Sequence, residues 1–153
     1  MKIELRNIIP APLPRSLIFD SLIWGKDYTF DEGESILAYA PSGKGKSTLL
    51  HIIYGLRQDF SGELVLGEKL SQKSNLSAWK HARCCQLSIM FQDMRLFPHL
   101  TAQENLALLP VLSSDIPPVE EMCERLEILD LLDQKVGKLS HGQRQRIALV
   151  RSL

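Results

Sequence analysis

The chain has 153 residues, 44% hydrophobic and 24% charged, with 18 basic and 18 acidic side chains and a formal net charge of zero. That length can carry one domain with a sizeable core, and the balanced charge gives no reason to expect nucleic acid or an anionic membrane surface as a partner. The charged, alternating start Met1-Lys2-Ile3-Glu4-Leu5-Arg6 is not a signal peptide, and no apolar run approaches the length of a bilayer span.

Ile3, Leu5 and Asn7 alternate with Glu4, Arg6 and Ile8, the pattern of an edge strand, and Pro10-Ala11-Pro12-Leu13-Pro14 ends it. Leu17-Ile18-Phe19 and Leu22-Ile23-Trp24 predict a second strand region, bent at Asp20-Ser21. Tyr28-Thr29-Phe30 predicts a third short strand, and residues 31–34 a turn. The apolar run Ser35-Ile36-Leu37-Ala38-Tyr39 predicts a further strand, with Tyr39 in the core. A helix follows, ending near Gly55, and a strand starts at Ser61-Gly62. After a polar stretch from Glu68 to Asn75, Ser77 is placed to cap a short helix carrying Trp79 and Ala82. Leu87-Ser88-Ile89-Met90-Phe91 predicts another strand, ending at Gln92, with a loop over residues 93–99. Thr101 and Glu104 form a capping box for a helix to about Leu109. Pro110 and Pro117-Pro118 frame a linker. Met122, Leu126, Leu129 and Leu132 then recur at helical spacing from Val119 onward. Residues 143–153 predict a helix with a basic face of Arg144, Arg146 and Arg151 and an apolar face of Ile147, Leu149 and Val150. The three cysteines, Cys84, Cys85 and Cys123, have no metal-ligand spacing and are read as reduced, mostly buried thiols of a cytosolic protein.

The stretch Ala-Pro-Ser-Gly-Lys-Gly-Lys-Ser-Thr at residues 40–48 carries the clearest chemistry. Placed between a strand and a helix, it aims backbone N–H groups at an anion from the positive end of the helix. Gly43 and Gly45 let the backbone curl, Lys46 can reach the terminal phosphates of a nucleotide, and the Ser47 hydroxyl can bind Mg²⁺. This is a phosphate-binding loop with Ala40 where the motif has glycine. Gln92, read alone, is a solvated loop residue; beside a phosphate loop, a strand-end amide can ligate Mg²⁺ and orient water. Ser140-His141-Gly142-Gln143 reads alone as a cap with a glycine turn, or as a second anion-binding helix start.

The order of these three features, with Arg144-Gln145-Arg146-Ile147-Ala148-Leu149 after the last, resembles the ATP-binding cassette (ABC) ATPases. The likeness runs through the whole chain and is most specific at residues 40–50, 91–106 and 139–153. Within the family, residues 90–106 look most like the lipoprotein-releasing and cell-division types. The resemblance implies an α/β fold: a P-loop NTPase core with an antiparallel β subdomain and a helical subdomain. The expected divisions are residues 1–74 (β layer plus phosphate-loop core), 75–138 (helical subdomain) and 139–153 (signature helix). It implies that Ser42, Gly43, Lys44, Gly45, Lys46, Ser47 and Thr48 bind the phosphates of ATP. Gln92 would sense the γ-phosphate and, with Ser47, Mg²⁺. Ser140, His141, Gly142 and Gln143 would form the signature that caps the ATP of a partner, in a homodimer or heterodimer of ATPase domains.

Three departures qualify the resemblance. His141 stands where the signature usually has glycine, and Ile8-Ile9-Pro10-Ala11-Pro12 offers no aromatic residue to stack on adenine. The family pattern also continues with an apolar strand ending in Asp, a catalytic Glu and a switch His, whereas this sequence runs to Leu153. The expectation is therefore a shortened ABC ATPase domain, without competent hydrolysis as 153 residues. The full-length form would hydrolyse ATP to power a membrane transporter, cytoplasmic and peripheral on the inner face of the membrane through transmembrane permease subunits. A non-hydrolysing nucleotide-binding or interaction module, and a soluble ABC-type ATPase without a membrane partner, are the two other readings.

Overall fold

The computed structural model describes residues 1–11, 13–67, 70–71, 74–108 and 117–153. These fall into two compact units, Met1–Leu87 and Ser88–Leu153. No helix among the described residues is long and apolar enough to cross a membrane.

The first unit is built on a four-stranded antiparallel sheet of order β2-β1-β3-β4, with β1 Ile3–Pro10, β2 Tyr28–Phe30, β3 Phe60–Leu66 and β4 Leu70–Ser71. β1 is thus an interior strand and not the edge its alternation predicts. Its buried residues are Leu5, Ile8 and Pro10; Leu5 and Ile8 are three apart because the register with β3 shifts between Arg6 and Ile9 and Asn7 takes a left-handed φ of 50°. A bulge of this kind breaks the period of two. Where a second strand region is expected, the chain forms the short helix α1, Arg15–Phe19. Pro14 caps it with φ already near the helical value, and the Leu17 N–H donates to the Pro14 carbonyl. The bend at residues 20–24 is made by the Ser21 hydroxyl, which accepts from the N–H groups of Ile23 and Trp24.

Helix α2, Lys46–Ile53, lays Leu49 and Ile52 on a core with Leu5, Ile8, Trp24, Leu64, Leu66 and Trp79. It stops at Gly55, whose left-handed φ of 71° suits a helix end and whose missing side chain leaves room for the Trp79 indole. Helix α3, Leu76–Cys85, is capped by Asn75 and not by Ser77: the Asn75 side-chain oxygen accepts from the Ala78 N–H. Cys84 and Cys85 lie exposed on α3, against the expectation of burial, while Cys123 is buried; all three are free thiols.

Residues 35–39 and 87–91 are not strands. A strand exists only through hydrogen bonds to a neighbour, and the sheet of the described residues pairs with neither segment. In the first segment the apolar side chains are correspondingly bare: Tyr39, expected in the core, is 93% exposed, and Leu37 91%; in the second, Leu87, Ile89 and Phe91 are half-buried.

The second unit packs α4 (Ala102–Leu106), α5 (Val119–Arg125) and α6 (His141–Ser152) around Ala102, Leu106, Met122, Cys123, Ile128, Leu131, Val136, Leu139, Ile147 and Val150. The predicted capping box forms: the Thr101 hydroxyl accepts from the Glu104 N–H while the Glu104 carboxylate accepts from the Thr101 N–H. The helix ends at Leu106, with Ala107 as its C-cap. Leu109, Pro110 and the linker up to residue 116 lie outside the described residues. The helix expected through Leu132 stops at Arg125, because Glu127 turns left-handed at φ 54°; a short 3-10 turn, Leu129–Leu131, follows. Ile128, not Leu129, takes the core position.

Candidate functional site

The candidate residues divide between the units: residues 42–48 belong to the first, and Gln92 and residues 140–143 to the second. The loop of residues 40–48 owes its course to its glycines. Gly43 and Gly45 have φ of 78° and 88°, in the region that side chains disfavour. Gly45 is the N-cap of α2, and no side chain caps that helix end, so the first-turn N–H groups have no side-chain acceptor there. At Gly43 a β-carbon would meet nothing within 4 Å. At Gly45 it would lie 3.0 Å from Leu13 Cδ1 and 3.0 Å from Trp24 Nε1. The loop therefore rests on Leu13 and on the buried Trp24 indole, two residues far from it in sequence. The Lys46 ammonium folds back over the loop and donates to the carbonyls of Ala40, at 2.5 Å, and Pro41, at 3.0 Å. Ser42, Lys44, Lys46 and Ser47 are exposed. This arrangement can receive a polyanion: N–H donors, a helix N-terminus and a cation converge on one exposed loop.

Gln92 is exposed at the start of a tight turn. After it, Met94 and Arg95 both adopt left-handed backbone, φ 60° and 48°. The Arg95 guanidinium stacks 3.6 Å over the Phe91 ring. The next turn is anchored by Asn105, fully buried on α4. Its side-chain oxygen accepts from the Phe97 N–H at 2.8 Å, and its amide nitrogen donates to the carbonyls of Phe97 and Thr101.

Ser140 caps α6 in a second capping box, reciprocated by Gln143 at 2.9 Å. His141 and Gly142 are exposed on the first turn, and a β-carbon at Gly142 would meet nothing within 4 Å. The basic face expected along α6 is largely engaged inward. Arg146 donates to the Leu126 carbonyl at 2.8 Å, and Arg151 to the Met94 carbonyl at 2.7 Å. Burial pushes the Arg151 guanidinium below its ordinary pKa. Leu149, expected on the apolar face, is exposed; Ala148 is buried in its place. The last turn of α6 also holds the segment before Gln92, because the Ser88 hydroxyl donates to the Ser152 carbonyl. Gln92 thus belongs to the C-terminal end of α6 and Ser140 to its N-terminal end, about 18 Å apart along a helix of this length.

Leu13, Trp24, Asn105 and Arg151 support these segments, and sequence reading did not single them out for it. Asn105 had a signal: it shares a helical face with Ala102 and Leu106, so a polar side chain was placed on an apolar stripe. Arg151 likewise follows Ile147 by four residues. Ser47, on the first unit, and Gln92, on the second, each carry a neutral oxygen of the hard type that Mg²⁺ prefers. No group of three or more His, Cys, Asp or Glu able to hold a metal exists among the described residues.

The family model for the ABC transporter matches residues 25–153, spanning the glycine loop, Gln92 and the start of α6. The chain belongs to the ABC transporter family. Members of this ABC family are ATPases. The chain is 36% identical over 137 residues to the sn-glycerol-3-phosphate import ATP-binding protein UgpC of Cereibacter sphaeroides, covering 86% of this chain and 38% of that protein. It is 34% identical over 158 residues to the maltose/maltodextrin import ATP-binding protein MalK of Escherichia coli, covering 99% of this chain and 39% of the relative. The chain thus spans about two fifths of the length of the curated relatives it matches. These two names are those of importers, not of the lipoprotein-releasing or cell-division types. Among solved structures, the dimeric bacterial ABC transporter cassette MJ0796 superposes with a TM-score of 0.78 at 26% identity, over 99% of this chain and 68% of the other. The same cassette in a post-hydrolysis state, bound to ADP and Pi, gives a TM-score of 0.76 at 25% identity over the same shares. The ABC cassette fold is that of an α/β P-loop NTPase, as the resemblance implies.

Proposed function

We propose that this chain is the nucleotide-binding part of an ABC importer's ATP-binding subunit. The observation that carries the reading is the loop of residues 42–48, where left-handed Gly43 and Gly45 deliver the chain into an uncapped helix start beneath the Lys46 ammonium. In this reading Ser42, Gly43, Lys44, Gly45, Lys46, Ser47 and Thr48 bind the triphosphate. Lys46 leaves the Ala40 and Pro41 carbonyls for the β- and γ-phosphates. Ser47 and Gln92 hold Mg²⁺ through their oxygens, the ion supplying charge neutralisation of the phosphates when bound, and Gln92 senses the γ-phosphate.

Residues 140–143 serve the nucleotide of a second cassette. Two observations support that division: Ser140 and Gln92 lie at opposite ends of α6, and the named structural neighbour is dimeric. Residues 1–74, 75–138 and 139–153 are the corresponding functional divisions. Hydrolysis, by a water attacking the γ-phosphate, belongs to the full-length subunit. That subunit works at the cytoplasmic face of the membrane against permease subunits, as the import names of the relatives suggest.

The test is equilibrium binding of ATP by calorimetry, with and without Mg²⁺. Lys46→Ala removes a charge-assisted phosphate contact and is expected to weaken ATP binding by about tenfold or more. Binding unaltered by this substitution would remove the loop from the site.

A further inference from the structure

The segment that carries Gln92 is tied on both sides to one turn of α6. Ahead of Gln92, the Ser88 hydroxyl donates to the carbonyl of Ser152; beyond it, the Arg151 guanidinium donates to the carbonyl of Met94 at 2.7 Å. Residues 151 and 152 are consecutive, so a single helical turn holds a bridge over residues 88–94 with Gln92 inside it.

The second tie falls where the backbone most needs one. Met94 and Arg95 are successive non-glycine residues in left-handed conformation, φ 60° and 48°. Such a pair is unfavourable for L-residues and persists only where the surroundings impose it. The local bonds are few: the Met94 N–H donates to the Phe91 carbonyl at 2.9 Å and the Arg95 N–H to the Asp93 carbonyl at 2.7 Å. The Met94 side chain is buried, which fixes the turn from one side. Arg151 fixes it from the other. Its guanidinium is partly buried, and a cation withdrawn from water is costly to leave without an acceptor. Releasing the turn would strand that charge.

We infer that Arg151 is a positioning residue for Gln92, and that α6 acts as a rod whose far end carries Ser140. The link to nucleotide rests on the proposed function; the clamp itself does not.

Amide exchange of the whole chain without nucleotide, followed residue by residue by NMR, tests the clamp. Arg151→Gln is expected to speed exchange at Met94 and Arg95 by about tenfold or more. The capping-box amides of Glu104 and Gln143 should stay protected. Ser88→Ala, a small change at an exposed position, should act in the same direction, and Arg151→Lys should restore part of the protection. No change at Met94 and Arg95 in either Arg151→Gln or Ser88→Ala overturns the inference. So does a uniform acceleration over residues 88–153, the mark of lost packing alone. ATP affinity then tests the link to Gln92. Arg151→Gln should weaken binding several-fold only when Mg²⁺ is present, and add nothing in a Gln92→Ala background. Equal weakening with and without Mg²⁺ removes the link. A wild-type chain that binds no ATP in either condition refutes the nucleotide reading, while the exchange pattern still decides the clamp.

Discussion

Asn105 shows how one side chain can organise a loop. Among the described residues it is the one buried polar side chain, and three hydrogen bonds from it fold residues 97–101 onto α4. Leucine has nearly the same volume but none of the bonds. Asn105→Leu therefore leaves the Phe97 N–H without its partner, while the Phe97 and Thr101 carbonyls keep the backbone N–H groups of Leu100 and residue 105. The expected cost is about 1–3 kcal/mol, read as a lower urea midpoint with the slope unchanged. A cost below about 0.5 kcal/mol would mean that water or a local shift satisfies that N–H. Gly45 is the converse case, where the absence of a side chain matters: φ of 88° strains any L-residue, and the Leu13 and Trp24 side chains, 3.0 Å from where a β-carbon would lie, would have to give way to it.

At the scale of the element, the second unit is made of short helices that depend on their ends and on what they bury. Two of them start with reciprocal capping boxes, at Thr101 and Ser140, each satisfying two orphan donors. Helix α5 has no side-chain cap and leans on burial of Met122 and Cys123. Burial first, and the nearby Glu120 carboxylate second, push the Cys123 thiol above its ordinary pKa. The folded state thus holds the proton more tightly than the unfolded state. Its contribution is fully present below the unfolded thiol pKa of about 8.5 and is lost as pH rises through the folded value. Thermal midpoints should accordingly fall as pH is raised from 8 to 10, and Cys123→Ala should flatten that alkaline slope while lowering the midpoint at pH 7. A slope equally steep in the alanine variant would assign the alkaline loss to other groups.

For the molecule as a whole, the legible parts were those decided within a few residues. The Thr101–Glu104 box, the turn at residues 31–34 and the stop of α2 at Gly55 are local devices, and each can be read from a short window. The misread parts depend on distant partners. Residues 35–39 and 87–91 have the composition of strands but no ladder among the described residues, since composition cannot supply a neighbour. Residues 17–19 have β-prone side chains, yet Pro14 starts a helix there, and the periodicity of residues 122–132 outlasts α5 because it does not sense the left-handed Glu127. The same contrast holds at the candidate site. Residues 42–48, Gln92 and 140–143 can be named from contiguous motifs. Leu13, Trp24 and Arg151, which hold those motifs in place, arrive from elsewhere in the chain and become visible only once it is folded.

The contact between Trp24 and Gly45 makes the chain its own optical probe. There are two tryptophans. One touches the glycine at the entrance of α2 and the other the glycine at its exit, both nearly fully buried. Their emission should therefore report separately on the two ends of that helix. An anion settling on residues 42–48 should alter the emission of Trp24, so that nucleotide can be titrated without a label. Trp24→Phe should abolish the response and Trp79→Phe should keep it; the reverse pattern would place the structural change at Gly55.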